Sequence, residues 1–195
     1  MECNILVQSV MFKLKLFKAL PSSLKDKYST LGRKAFAKKQ TLEEKKEHKD
    51  KYCSKKDIFS YLVAFEDNEI IGGAELVKRK LKNSDGLLTL GGFGGVWTRK
   101  DKRRKGIATA ILKQGMKVLK SKDCDIAYLC TDVNKLNDLY SKVGFVALGK
   151  IYTFIGKSGK RYFENDGMIA PVNSEKKFKQ ILEDKKPLDI GVGNW

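Results

Sequence analysis

The most constraining part of the sequence lies between Leu87 and Cys130, where a glycine-rich segment precedes a basic turn and a long amphipathic segment. Residues 87–98 have the composition of a strand, and four glycines within it predict a bulge or the close approach of a ligand or another backbone. Residues 106–120 place Ile107, Ile111 and Leu112 on one face and lysines elsewhere, which predicts a helix. Residues 125–130 follow as a short buried strand. Strand and helix therefore alternate within one sheet-based fold.

Antiparallel hairpins are predicted on both sides of this unit. The predicted elements before it are an opening strand within residues 4–20, helices over 22–39 and 41–51, and strands over 58–65 and 69–78. Thr41 and Glu44 have the spacing of a capping box. The elements after it are a helix capped by Thr131 or Asp132, a strand opened by Gly144-Phe145, and a hairpin turned by residues 157–160. With no linker or repeat in view, residues 1–195 are predicted to form one α+β domain around a mixed, mostly antiparallel sheet.

Lysine dominates the charged residues. The 195 residues carry 40 Lys and Arg against 23 Asp and Glu, a formal net charge of +17. The excess is concentrated in residues 11–40 and 99–122, so the chain attracts phosphate-bearing partners at long range. The sequence is 42% hydrophobic and has three prolines, which excludes a disordered chain. No apolar run is long enough to span a membrane, and Lys13, Lys15 and Lys18 interrupt the stretch most like a signal peptide, so we expect a cytoplasmic protein without membrane contact.

Metal and nucleophilic chemistry have little support in the sequence. Cys3, Cys53, Cys124 and Cys130 form no Cys-x-x-Cys pair, and His48 is the single histidine. We therefore expect no metal site and no Ser-His or Cys-His catalytic pair. His48 lies in a dense run of mixed charge, which is typical of a solvated surface position. Free thiols suit a reducing cytosol.

The turn between the glycine-rich strand and the amphipathic helix has the chemistry of a phosphate site. A helix N-terminus presents unpaired backbone N–H groups and the positive end of the helix dipole. Gly106 permits close approach of an anion, and Arg103, Arg104 and Lys105 add positive charge. The glycine spacing matches neither a dinucleotide-binding fingerprint nor a Walker loop, which disfavours nicotinamide and nucleoside-triphosphate chemistry.

These residues resemble the pyrophosphate signature of the GNAT superfamily of acetyl-CoA-dependent N-acetyltransferases, Gln/Arg-x-x-Gly-x-Gly/Ala, which is matched by Arg103, Gly106 and Ala108. Residues 139–145, Leu-Tyr-Ser-Lys-Val-Gly-Phe, resemble the family segment Leu-Tyr-x-Lys-x-Gly-Phe. The resemblance implies acetyl-CoA as acetyl donor, held between two splayed parallel strands. It also implies a cofactor-binding core over residues 57–150, with acceptor-side elements in residues 1–56 and 151–195.

The resemblance assigns roles to individual residues. Val96 and Thr98 would hydrogen-bond the pantetheine arm through their main chains, and a backbone N–H of the glycine-rich strand would polarise the thioester carbonyl. The pyrophosphate would be held by Arg103, Arg104, Lys105, Gly106 and Ala108. Tyr140 matches the family's general acid, which protonates the departing thiolate. No base is obvious, because Gly94 and Gly95 occupy the place where many relatives have a glutamate; Glu75, Asp166 or water are the candidates.

Within the superfamily, residues 56–195 resemble the aminoglycoside 2′-N-acetyltransferases in Gly95 to Arg99, in Leu129 to Tyr140, in Asp166-Gly167 with Pro171, and in the terminal tryptophan. This resemblance places Thr131, Asp166 and Trp195 at the acceptor site. Gly94 and Gly193 stand where that subfamily has acidic residues, so two acids of a site for cations are missing. A small amine or amino sugar of lower charge is therefore at least as good a candidate acceptor as an aminoglycoside.

Two other functions stay open. One is a protein N-acetyltransferase that modifies lysines or N-termini. The other is an inactive GNAT fold whose basic surfaces bind anions or nucleic acid, although no sequence-specific nucleic-acid motif is present, so only weak, salt-sensitive binding is expected. No interface signature decides between a monomer and a homodimer.

Overall fold

The computed structural model describes residues 12–37, 40–83 and 86–195. The helices are α1 (Ser22–Phe36), α2 (Leu42–Lys51), α3 (Ile107–Ser121), α4 (Val133–Ser141) and α5 (Glu175–Glu183). The strands are β1 (Lys13–Phe17), β2 (Ile58–Glu66), β3 (Glu69–Asn83), β4 (Gly86–Thr98), β5 (Ile126–Cys130), β6 (Val146–Ala147), β7 (Tyr152–Ile155), β8 (Arg161–Glu164), β9 (Gly167–Pro171) and β10 (Leu188–Val192).

Seven of the strands form one mixed sheet in the order β1-β2-β3-β4-β5-β9-β6, and a second sheet has the order β10-β7-β8. Neighbouring strands from β1 to β4 are antiparallel, whereas β4 and β5 are parallel and are connected by α3. The long connection is required because parallel neighbours cannot be joined by a tight turn. The predicted α+β sheet is thus confirmed.

Several element boundaries differ from the sequence prediction. The opening strand is short, from Lys13 to Phe17, and Ile5 to Val7 lie outside the described residues. The strand expected after Gly144-Phe145 contains only Val146 and Ala147, which pair with β9. By contrast, the predicted hairpin at residues 157–160 and the Thr41–Glu44 capping box are both present.

Apolar residues cover both faces of the large sheet. Helix α3 packs on one face through Ile107, Ile111 and Leu112, as its amphipathic pattern predicts. Helix α1 covers part of the opposite face, where Tyr28 contacts Trp97 edge-on with ring centroids 5.4 Å apart. The second sheet and the tail ending at Trp195 cover the rest of that face. None of the helices in the described part of the chain is long and apolar enough to cross a membrane.

Candidate active site

The strands β4 and β5 separate before either of them ends. Their parallel register runs only from Leu90 opposite Ile126 to Gly92 opposite Tyr128. Strand β4 continues to Thr98 beside β3, with a register shift between Gly73 and Glu75 and a positive φ of 50° at Gly95. Such a bulge bends its strand. Within the described residues, the edge of β4 that faces β5 therefore has no strand opposite it beyond Gly92.

Trp195 fills the base of this gap. Its indole Nε1 donates a hydrogen bond to the backbone oxygen of Tyr128 at 3.2 Å, where the parallel ladder would otherwise continue. The ring lies so close to Gly92 that a Cβ added there would stand 2.3 Å from Nε1. A glycine is thus needed where the indole ring packs.

The Arg79 guanidinium packs over the indole ring of Trp195. It lies 4.5 Å from the indole ring centroid and is ion-paired with Asp57, Nη2 to Oδ2, at 2.6 Å. The same guanidinium donates to the backbone oxygens of Ile190 and Gly193. The nearly buried Arg79 guanidinium therefore connects β3 to the segment before β2 and to the C-terminal tail.

A cavity of about 590 Å³ lies in front of the separated strands. Its walls come from α1 and the residues after it, from the stretch between His48 and Ile58, from the facing strands β3, β4 and β5, and from α4 and the tail. The lining residues include Arg33, Phe36, His48, Tyr52, Lys55, Glu75, Gly94, Val96, Cys130, Thr131, Leu136, Tyr140 and Trp195.

Glu75 brings a carboxylate to the cavity. It lies opposite Gly94 in the β3–β4 register, and a Cβ on Gly94 would stand 3.2 Å from Oε2. Burial raises the pKa of Glu75, while the charge of Lys55 lowers it in part. A carboxylate whose pKa is moved toward neutrality can accept a proton from an amine more readily.

Tyr140 reaches the same cavity from α4. Its ring is 6% exposed and packs edge-on against Phe145. Burial raises the pKa of Tyr140, with a smaller opposing effect from the nearby Thr131 hydroxyl. The phenol therefore keeps its proton at neutral pH and can act as a donor.

Asp166 does not line the cavity. Its Oδ1 accepts a hydrogen bond from the Tyr152 hydroxyl at 2.6 Å, and its backbone oxygen accepts one from the Thr131 amide at 3.0 Å. It thus supports Thr131 from behind. Cys130 is nearer to the cavity, with its Sγ 3.2 Å from the backbone oxygen of Trp195, and burial raises its pKa to about 12. A thiol with this pKa is a poor nucleophile at neutral pH.

The basic turn has the geometry of an anion site. Gly106 caps α3 with φ 75°, and a Cβ there would meet no atom within 4 Å. The first helical hydrogen bond runs from the Ala110 amide to the Gly106 oxygen at 2.9 Å, so the amides of residues 107–109 precede it. Arg103, Arg104 and Lys105 are exposed around this N-terminus, and Ala108 is in its first turn. The open space and amides fit a pyrophosphate.

The edge of β4 fits the arm of the same cofactor. Val96 lines the cavity, and Thr98 lies between it and the basic turn. The Thr98 Oγ1 is buried and has no hydrogen-bond partner among the described residues, which is unusual for a native hydroxyl and is consistent with a polar group bound nearby. Pantetheine amides could pair with this edge as an added strand.

The structure thus brings Val96, Thr131, Tyr140 and Trp195 to one cavity and places the Arg103–Ala108 turn at the end of β4. Sequence reasoning missed Phe36, Tyr52 and Leu136 on its walls. Tyr52, an aromatic residue beside a highly charged helix, was the available signal. His48, expected on the surface, is exposed but stacks on Tyr52 with centroids 4.5 Å apart.

Comparisons with known proteins agree on one fold. A family model described as an acetyltransferase (GNAT) domain matches residues 17–147. No curated protein matches significantly. The GNAT family N-acetyltransferase YhbS from Escherichia coli, solved in complex with CoA, has a TM-score of 0.60 at 15% identity, covering 93% of this chain and 91% of YhbS.

Two other solved structures extend the comparison. Naa20 from Chaetomium thermophilum, solved with a bisubstrate analogue, has a TM-score of 0.58 at 15% identity, covering 92% of this chain and 96% of Naa20. Eis1 from Mycobacterium abscessus has a TM-score of 0.53 at 15% identity, covering 72% of this chain and 32% of Eis1. The chain spans about a third of the length of Eis1 and of several other larger structures that it matches. Because the family model covers more than half of the sequence, the chain belongs to the acetyltransferase (GNAT) domain family.

Proposed function

We propose that this protein transfers an acetyl group from acetyl-CoA to the primary amine of a small acceptor. The observation that carries the proposal is the cavity at the β4–β5 separation, where Glu75 and Tyr140 face one space beside the unpaired edge of β4. A carboxylate of raised pKa and a protonated phenol are the base and acid that acyl transfer to an amine requires.

Each residue has a defined task in this reaction. Acetyl-CoA supplies the acetyl group as a thioester, with its pyrophosphate at the Arg103, Arg104, Lys105, Gly106 and Ala108 turn and its arm along the main chains of Val96 and Thr98. Glu75 accepts a proton from the ammonium of the acceptor, directly or through water. A backbone N–H near Gly94 and Gly95 polarises the carbonyl while the N–C bond forms. Tyr140 donates its proton to the sulfur as the C–S bond breaks, and it regains a proton through water from the nitrogen, which loses its second proton as the amide forms.

The acceptor side is proposed to include Thr131 and Trp195, with Asp166 holding Thr131 in place. The resemblance to aminoglycoside 2′-N-acetyltransferases makes an aminoglycoside or amino sugar one candidate acceptor, and a protein amine is the principal alternative to a small molecule. A cytoplasmic location is supported by the free thiols of Cys53, Cys124 and Cys130.

The proposal is tested by measuring acetyl-CoA binding calorimetrically and thiol release over a panel of amines, peptides and aminoglycosides. Binding with turnover on at least one amine is the expected result. Absence of acetyl-CoA binding would overturn the proposal. Binding of acetyl-CoA without turnover on any acceptor, together with nucleic-acid binding that survives at about 0.15 M salt, would favour the inactive anion-binding alternative.

A further inference from the structure

The entrance of the cavity, formed by its exposed lining residues, is partly apolar. Phe36 from α1, Tyr52 after α2 and Leu136 from α4 all line it, yet each leaves a large part of its side chain in water: 54%, 37% and 39%. Isolated exposed apolar residues need no explanation, but three from separate elements around one opening indicate a surface that is covered when a ligand binds.

The charges around the cavity limit what can enter. Among the described residues that line it, Glu75 is the only one with a carboxylate side chain, and it lies on the wall formed by β3 and β4. Arg33 and Lys55 are the basic lining residues, and both are exposed. Partial burial and the charge of Lys51 lower the pKa of the His48 ring. One carboxylate side chain and two exposed basic side chains complement a molecule with a single ammonium better than a polycation.

We infer that the acceptor is a monoamine with an aromatic or branched aliphatic body, and this inference rests on the proposed acetyltransferase function. The ammonium lies at Glu75, where Gly94 leaves room for the carboxylate. The apolar body covers Phe36, Tyr52 and Leu136. Aminoglycosides and polyamines, which carry several ammonium groups and little apolar surface, are poor acceptors for this cavity.

The first experiment compares kcat/KM for four probes at fixed acetyl-CoA: 2-phenylethylamine, glucosamine, spermidine and kanamycin. Phenylethylamine is expected to exceed each of the others by about tenfold or more, since burial of its ring is the main difference in binding. A higher kcat/KM for kanamycin, spermidine or glucosamine would overturn the inference while leaving the acetyltransferase function intact. No turnover on any of these or on a wider amine panel, by contrast, would count against the proposed function itself.

The second experiment removes the apolar entrance. Leu136→Ser and Phe36→Ser are expected to raise KM for phenylethylamine by about 5- to 20-fold each, with little change in kcat, because only contacts to the body of the acceptor are lost. Phe163→Ser is the matched control, since Phe163 is 62% exposed on β8 and does not line the cavity. Equal KM values for the control and both entrance variants would overturn the inference.

Discussion

The carboxylate of Glu75 lies close to the position that a side chain at Gly94 would take, because a Cβ on Gly94 would stand 3.2 Å from Oε2, which is a tight contact. The two residues are cross-strand neighbours in β3 and β4. Many relatives are expected to have their base on the strand that here carries Gly94, whereas the base that we propose for this chain, Glu75, is on the adjacent strand. The lack of a side chain at Gly94 thus leaves room for the carboxylate of Glu75.

Replacing Glu75 by Gln tests this arrangement. We expect kcat to fall by about 10²-fold or more, because the base is lost. Burial raises the pKa of Glu75, so the folded chain binds this proton more tightly than the unfolded chain. Stability from this group is therefore present at low pH and is lost as pH rises through the raised pKa. Thermal melting against pH should show this decline in wild type and not in Glu75→Gln. Glu183→Gln, at an exposed position on α5, is the control; an equal loss of kcat in both variants would contradict the role.

Tyr140→Phe separates a proton donor from a packing residue. The ring that contacts Phe145 is retained, so melting temperature and acetyl-CoA affinity should be unchanged. Turnover on the best amine should fall by about 10² to 10⁴, mainly in kcat. If kcat stays within about threefold of wild type, the sulfur takes its proton from water and Tyr140 only packs.

Gly106→Glu tests the anion site at the start of α3. Wild type should melt at a higher temperature with acetyl-CoA, because a ligand that binds only the folded state stabilises it. In the variant a carboxylate faces the pyrophosphate, and this increase should disappear. Gly106→Ala is the matched control, since it has the same backbone strain at φ 75° without the charge and its methyl group meets no atom within 4 Å. Loss of the increase in both variants would point to backbone strain instead.

Arg79→Met tests how the tail is held. The Arg79 and Asp57 side chains are 9% and 14% exposed, so removing the cation leaves a nearly buried carboxylate unpaired. We expect a loss of about 3 kcal/mol of unfolding free energy in chemical denaturation. Arg161→Met breaks the Arg161–Asp189 pair, whose side chains are 45% and 52% exposed. This variant should lose less than about 1 kcal/mol of unfolding free energy. Similar losses in the two variants would mean that the buried network does not hold the tail.

Local patterns were sufficient to predict most of the central unit. The apolar face of α3, the turn from Arg103 to Gly106 and the capping box at Thr41 depend on residues close in sequence, and they appear as expected. The four glycines of β4 predicted a bulge or the close approach of a ligand or another backbone; Gly95 lies in a bulge, and the backbone oxygen of Tyr128 lies close to Gly92.

Long-range packing accounts for what the sequence did not reveal. The choice between Glu75 and Asp166 depends on strand register and on where each side chain is held, and Asp166 is turned toward Tyr152. The apolar entrance combines Phe36, Tyr52 and Leu136 from three elements that are far apart in the chain. No local periodicity marks such residues, since each is only an exposed apolar side chain until the fold brings them together.

The short pairing between β4 and β5 separates the large sheet into two halves, and each half consists of strands from one part of the chain. Strands β1 to β4 all precede the basic turn, whereas β5, β6 and β9 all follow it, and the two halves meet edge to edge only from Leu90 to Gly92. Only three residue pairs join the halves at this buried junction, so its backbone amides should exchange with deuterium earlier than those between β3 and β4, which pair along most of their length. A ligand that binds between the halves would stabilise this junction, so exchange of its amides should become slower as the ligand concentration rises.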